Sequence, residues 1–179
     1  MIKDRRAVTL IELIMVIVVV GTLAGIISLG IIEVIDLWNF LTFNNEIASQ
    51  GRIALMWIGR EIRQMTFESI QVADASRLRF TAIDIDGDNN DDVIEFYRNA
   101  NDELMRIFND NPAQGDILAS SVSNLTFTYY DENNGELTNV PLSEEDHAMV
   151  YRIAIALILS NSSGSRTLDL RSQIFPRNF

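Results

Sequence analysis

The sequence predicts an α+β protein: a long N-terminal helix, membrane-spanning in its first half, whose second half packs on an antiparallel β-sheet. Three observations carry this expectation. An uncharged apolar run extends from Leu13 to Ile32. A stripe at helical spacing follows, with Ala54, Ile58, Ile62 and Met65 at intervals of four, four and three residues and Leu55 alongside. From Leu78 onward the apolar period shortens to two, the repeat of a strand with one face buried.

Composition limits the function classes. The 179 residues contain no cysteine. That excludes a disulfide scaffold, a thiolate zinc site, a cysteine nucleophile and a cysteine-linked lipid anchor. The net charge is -11. The first seven residues hold three positive charges (Lys3, Arg5, Arg6) and one negative, which leaves the remainder at -13. A basic tip before an apolar run is retained in the cytoplasm, so the acidic domain is expected on the far side of the membrane. The acidic balance also argues against a nucleic-acid partner, which requires a basic footprint.

The run from Leu13 to Ile32 has 20 residues, about 30 Å as a helix and the thickness of a bilayer's hydrocarbon core. Secretory signal segments are shorter, about 7–15 residues, and end in a small-x-small cleavage site. This run ends in Ile31-Ile32-Glu33 without one. At its inner edge stands Glu12, a lone carboxylate among Ala7-Val8-Thr9-Leu10-Ile11 and Leu13-Ile14. A charge near a bilayer centre costs about 2.5–3.5 kcal/mol, and somewhat less near the edge, so Glu12 requires a partner. Gly21 and Gly25, with Ala24 and Ser28, have the spacing that lets membrane helices approach closely. Glycine is also commoner in membrane helices generally, and the two readings weigh equally. No proline precedes Pro112, so any kink must rest on glycine. Trp38, Phe40 and Phe43 suit either an interfacial belt or packing against protein.

The helix is expected to continue beyond Glu33, with a bend or break where Asn44, Asn45 and Gly51 weaken it. Arg52, Arg60, Glu61 and Arg63 are placed mostly off the apolar stripe. Strands are expected at Leu78–Ala82, Val93–Arg98, Glu103–Phe108, Val122–Tyr130, Val150–Leu159 and Thr167–Ile174, in one antiparallel sheet of five to seven strands. Asn99-Ala100-Asn101-Asp102 forms a hairpin turn, Asp131 to Gly135 a second, and Ser162-Ser163-Gly164 a third. The run from Val150 to Leu159 is apolar enough for a central strand. The chain thus divides into residues 1–7, a basic leader; 8–32, the membrane helix; 33–67, its continuation; and 68–179, the sheet domain.

Two constellations bear on chemistry. Asp84, Asp86, Asp88, Asp92 and Glu95 have the one-three-five-nine-twelve spacing of an EF-hand calcium loop. The glycine required at loop position six is replaced by Asn89, and no long helices flank the segment. An acidic, solvated turn between strands is the stronger reading, and no metal or other cofactor is assigned. The single histidine, His147, follows Glu144-Glu145-Asp146 and is expected to be a solvated loop residue. With one histidine, no cysteine and the only lysine at position 3, a catalytic constellation is hard to build and a serine-lysine pair fails. The spacing singles out no carboxylate pair, so the chain is not expected to be an enzyme.

The N-terminal pattern of basic leader, Ala7, Val8 and then Thr9-Leu10-Ile11-Glu12-Leu13 resembles the type IV prepilin signal. Thr9 to Leu13 agrees with that family residue for residue, and Glu12 falls at its fifth mature position. Ala7 and Val8 stand where the family usually has Gly and Phe. The resemblance implies cleavage between Ala7 and Val8 by a prepilin peptidase, N-methylation of Val8, and pairing of Glu12 with the N-terminal ammonium of a neighbouring subunit. An α-amine has a pKa of about 7.7–8.0, so the cation is available at neutral pH. The sheet domain is similar, more loosely, to minor pilins and pseudopilins of the J-type of type II secretion and the W-type of pilus assembly. Arg60 to Gln64, Ile94 to Arg98, Leu104-Met105-Arg106, Leu125 to Asp131 and Arg177-Asn178 carry that likeness. It implies a structural subunit in a pilus or pseudopilus, with other pilin subunits and the lipid bilayer as partners. The competing expectation is a membrane-anchored exported binding module, calcium-dependent through Asp84–Glu95, that forms no filament.

Overall fold

The computed structural model describes residues 9–161 and 166–176. The leader 1–7, the Ala7-Val8 junction, the Ser162-Ser163-Gly164 turn and Arg177-Asn178 lie outside the described residues. The elements run α1 (Leu10–Ile62), β1 (Met65–Ala73), β2 (Arg77–Ala82), β3 (Asp92–Arg98), β4 (Leu104–Phe108), β5 (Asn111–Ala119), β6 (Val122–Tyr130), α2 (Glu144–His147), β7 (Arg152–Ser160) and β8 (Thr167–Ile174). The fold is α+β with antiparallel strands.

The chain forms two compact units, Met1–Phe43 and Asn44–Phe179. In the first, α1 is long and apolar enough to cross a membrane. Residues 9–42 are all exposed. Leucine, isoleucine and valine in such continuous exposure mark a surface that meets lipid or other protein rather than water.

In the second unit the strands form two sheets, a correction to the single sheet expected. β1 to β5 follow one another in a five-stranded meander, and β6-β7-β8 form a three-stranded sheet. Expected strands at β2, β3, β4, β6 and β8 are present, and the apolar run around β7 is the centre of the smaller sheet. The two strands not foreseen are β1 and β5. Register shifts break the alternation of β1 between Met65 and Ile70 and again between Ile70 and Val72. β5 contains Pro112 and Gly115, both poor strand formers, and lies at a sheet edge where proline is tolerated. Cross-links between the sheets include Phe127 N–H to the Ala75 carbonyl at 2.8 Å and the Tyr129 hydroxyl to the Asp74 carbonyl at 2.8 Å.

The expected break in α1 is absent: the helix continues through Asn45 and Gly51. Gly51 serves close packing. A Cβ there would stand 2.5 Å from Leu170 Cδ1 and 2.6 Å from Leu159 Cδ1. Two turns on, a Cβ on Gly59 would meet Ile174 at 3.6 Å. The glycines therefore bring this part of α1 down onto β7 and β8. The expected stripe of Ala54, Leu55, Ile58, Ile62 and Met65 is buried. Glu61, placed off the stripe by the sequence reading, is also fully buried. Its carboxylate meets Arg106 of β4, and that pairing is what allows a charge to lie among the core residues.

Candidate functional site

Thr9 precedes the first helical residue and caps α1. Its Oγ1 accepts the Glu12 N–H at 3.3 Å, and its carbonyl accepts the Leu13 N–H at 3.1 Å. Glu12 is therefore the third residue of the helix, in the first turn. Thr9-Leu10-Ile11-Glu12 has the form of a capping box, with threonine as cap and glutamate three residues on. A carboxylate here also opposes the positive end of the helix dipole. The sequence reading missed this local role, although the threonine-x-x-glutamate spacing announces it. The cap engages the Glu12 backbone and leaves its carboxylate exposed.

Further along, Gly21, Gly25 and Gly30 have no heavy atom within 4 Å of an added Cβ among the described residues. The Gly21-x-x-x-Gly25 face is thus free for a second helix, as close helix pairing requires. Trp38 and Phe40 are exposed.

The five carboxylates of the calcium-like spacing do not converge. Oxygens of Asp84, Asp86 and Asp88 lie within 4.8 Å of one another. Asp92 is buried and holds the base of the loop instead. Its Oδ2 accepts the N–H of Ile85 at 2.6 Å and of Asp86 at 3.3 Å, while Oδ1 accepts Asn109 Nδ2 at 2.7 Å. Glu95 belongs to β3, where it pairs with Arg77 at 2.5 Å and Arg79 at 3.7 Å across the β2–β3 ladder. The remaining trio is also occupied locally. Asp84 accepts the N–H groups of Gly87 and Asn89 at 2.7 and 3.1 Å. Asp86 accepts from Asp88 N–H at 3.1 Å, and Asp88 from Asn90 N–H at 2.8 Å. Hydrogen bonds from Asn90 hold the Asp88 carboxyl below its ordinary pKa. Asn89 takes the left-handed conformation, φ 67°, which asparagine tolerates. The segment is a turn tied together by its own side chains.

His147 is not the solvated residue expected. It ends α2, is buried, and its Nε2 has no hydrogen-bond partner among the described residues. Ser143 caps this short helix, its Oγ accepting the Asp146 N–H at 3.3 Å and donating to Asp146 Oδ2 at 2.8 Å. The capped turn folds His147 inward.

Together these features define a class: an α+β domain with an N-terminal helix able to cross a membrane. No protein-family description matches the chain, and no curated protein resembles it closely enough to count as a relative.

Proposed function

We propose that this chain is a type IV pilin-like precursor, a subunit of a pilus or pseudopilus in the minor pilin and pseudopilin group. The observation that carries the reading is the place of Glu12. It is a single carboxylate in the first turn of an exposed apolar helix, four residues beyond Val8. Its leader stays in the cytoplasm, its helix enters the inner membrane, and its acidic domain lies outside. Prepilin peptidase removes residues 1–7 and methylates Val8. The helix then leaves the bilayer for the filament, where its apolar surface packs on neighbouring helices and Glu12 pairs with a neighbour's terminal amine. The chain's task in this account is structural rather than catalytic.

Two substitutions test the role of the Glu12 charge. Glu12→Ala removes the charge together with the rest of the side chain, whereas Glu12→Gln keeps the side-chain length and removes only the charge. Both are expected to insert and be cleaved, and both are expected to be depleted from sheared filaments at least tenfold. Normal incorporation of Glu12→Gln would overturn the charge pair. The rival reading, a tethered monomeric module, draws on the Asp84-Asp86-Asp88 turn alone.

A further inference from the structure

Between Arg52 and Arg63, α1 has two contrasting faces. Ala54, Leu55, Ile58, Glu61 and Ile62 are buried. Arg52, Ile53, Met56, Trp57, Arg60 and Arg63 are exposed and span about 140° of the helix. Met56 is 67% exposed and Trp57 39%. A groove lies on each side of this ridge. One, of about 510 Å³, is lined by Trp57, Arg60, Phe108 of β4 and Leu118 of β5, with the carboxylates of Asp86 and Asp116 also on its wall. The other, of about 320 Å³, is lined by Arg52, Arg63 and residues Leu170 and Arg171 of β8.

The arginines are the unexpected part. Arg77, Arg79, Arg98, Arg106 and Arg171 all form ion pairs. Arg52, Arg60 and Arg63 form none among the described residues, and Arg60 lies 5.3 Å over the Trp57 ring. A chain of net charge -11 thus gathers on one helix face three guanidinium groups without ion pairs among the described residues, one of them over the tryptophan ring. Arginine, tryptophan and methionine are the residue types enriched at protein interfaces.

The complement lies on the same helix. Between Glu12 and Arg52 the only charges are Glu33, Asp36 and Glu46, all acidic and all exposed. Glu33 and Asp36, three apart, share a face with Leu37 and Phe40. We infer that the Arg52–Arg63 ridge docks the acidic and apolar face Glu33–Phe40 of a second copy of this chain. The inference rests on the filament reading above and deepens it by naming the contact. Copies inserted the same way round lie parallel, so acidic and basic stretches meet only when one helix is shifted along its axis against the other. Exposed ion pairs are individually weak and salt-screened; they select register, and the apolar contacts supply attachment.

The absence of native cysteine makes the test direct, because introduced thiols are the only ones present. Differently tagged full-length copies carrying Leu37→Cys and Met56→Cys are oxidised in the membrane. In parallel, a scan of cysteine pairs that joins residues 16–19 of one copy to residues 16–19 and 31–38 of the other, covering unshifted and shifted registers, reports association of the apolar span. The expected result is a 37–56 cross-link between copies. It falls at least fivefold with Arg52→Gln/Arg63→Gln and with Glu33→Gln/Asp36→Asn, while the span cross-links persist. A 37–56 cross-link indifferent to both pairs of substitutions overturns the inference, as does its absence beside normal span cross-links. Loss of every cross-link in the unsubstituted chain contradicts the assembly reading itself. Cross-linking of Met56→Cys to another protein, and not to position 37, overturns the choice of a second copy.

Discussion

Arg106 grips the buried carboxylate of Glu61 from β4, with Nε 2.9 Å from both carboxylate oxygens and a terminal nitrogen 2.8 Å from Oε1. Its other terminal nitrogen reaches Asp116 of β5 at 3.2 Å, and the guanidinium lies 5.0 Å over the Phe108 ring. One arginine thereby joins the end of α1 to two strands of the larger sheet. Removing one partner of a buried pair costs about 3–5 kcal/mol, and without Glu61 the buried Arg106 would keep only the exposed Asp116 carboxylate as ionic partner. Glu61→Ala is expected to destabilise the full-length protein in detergent by that amount in chemical denaturation. Glu61→Leu/Arg106→Met, which removes both charges, is expected to recover most of the loss.

The same pair gives a pH dependence. Burial pushes the Glu61 carboxyl above its ordinary value of 4.5, against the opposing pull of the Arg106 guanidinium. The folded state then keeps a proton on Glu61 at pH values where the unfolded chain has lost it. The stabilisation from this group is fully present below about pH 4.5 and is lost as pH rises through the folded pKa. Denaturation of wild type and Glu61→Gln across a pH series isolates the effect. The stability of wild type relative to Glu61→Gln is expected to fall as pH rises; a difference that grows with pH would contradict the sign.

Gly51 has opposite meanings in sequence and structure. As a residue it weakens a helix by about 1 kcal/mol relative to alanine. In place, it admits the ends of Leu170 and Leu159 to the helix backbone. These are flexible side-chain termini that can give slightly. Gly51→Ala is therefore expected to be near neutral, the gain in propensity offsetting a small displacement. Gly51→Leu must move both leucines and is expected to lose about 1–3 kcal/mol by overpacking. Thermal denaturation of the two variants distinguishes this from a flexible-hinge role, for which both substitutions would stabilise.

The physics that made elements legible was periodicity. The stripe from Ala54 to Met65 and the strands around Phe80, Phe96 and Phe127 follow regular burial, and the sequence shows them directly. β1 and β5 were hidden because bulges, Pro112 and Gly115 interrupt their alternation. Glu61 was misplaced because its neutralising partner, Arg106, is remote in sequence and comes near only through folding. The Asp84–Glu95 spacing was visible, but spacing alone does not reveal that Asp92 and Glu95 have other tasks. At the N-terminus, Glu12 was conspicuous as an isolated charge, whereas its place beside the Thr9 cap required the helix to be located.

The central claim concerns the junction before that helix. Mass spectrometry of the mature protein's N-terminus, after expression with a prepilin peptidase, tests it most directly. The account predicts a chain that begins at Val8, lacks residues 1–7 and carries one N-methyl group. An intact Met1, or a chain cut after Gly30, would contradict it.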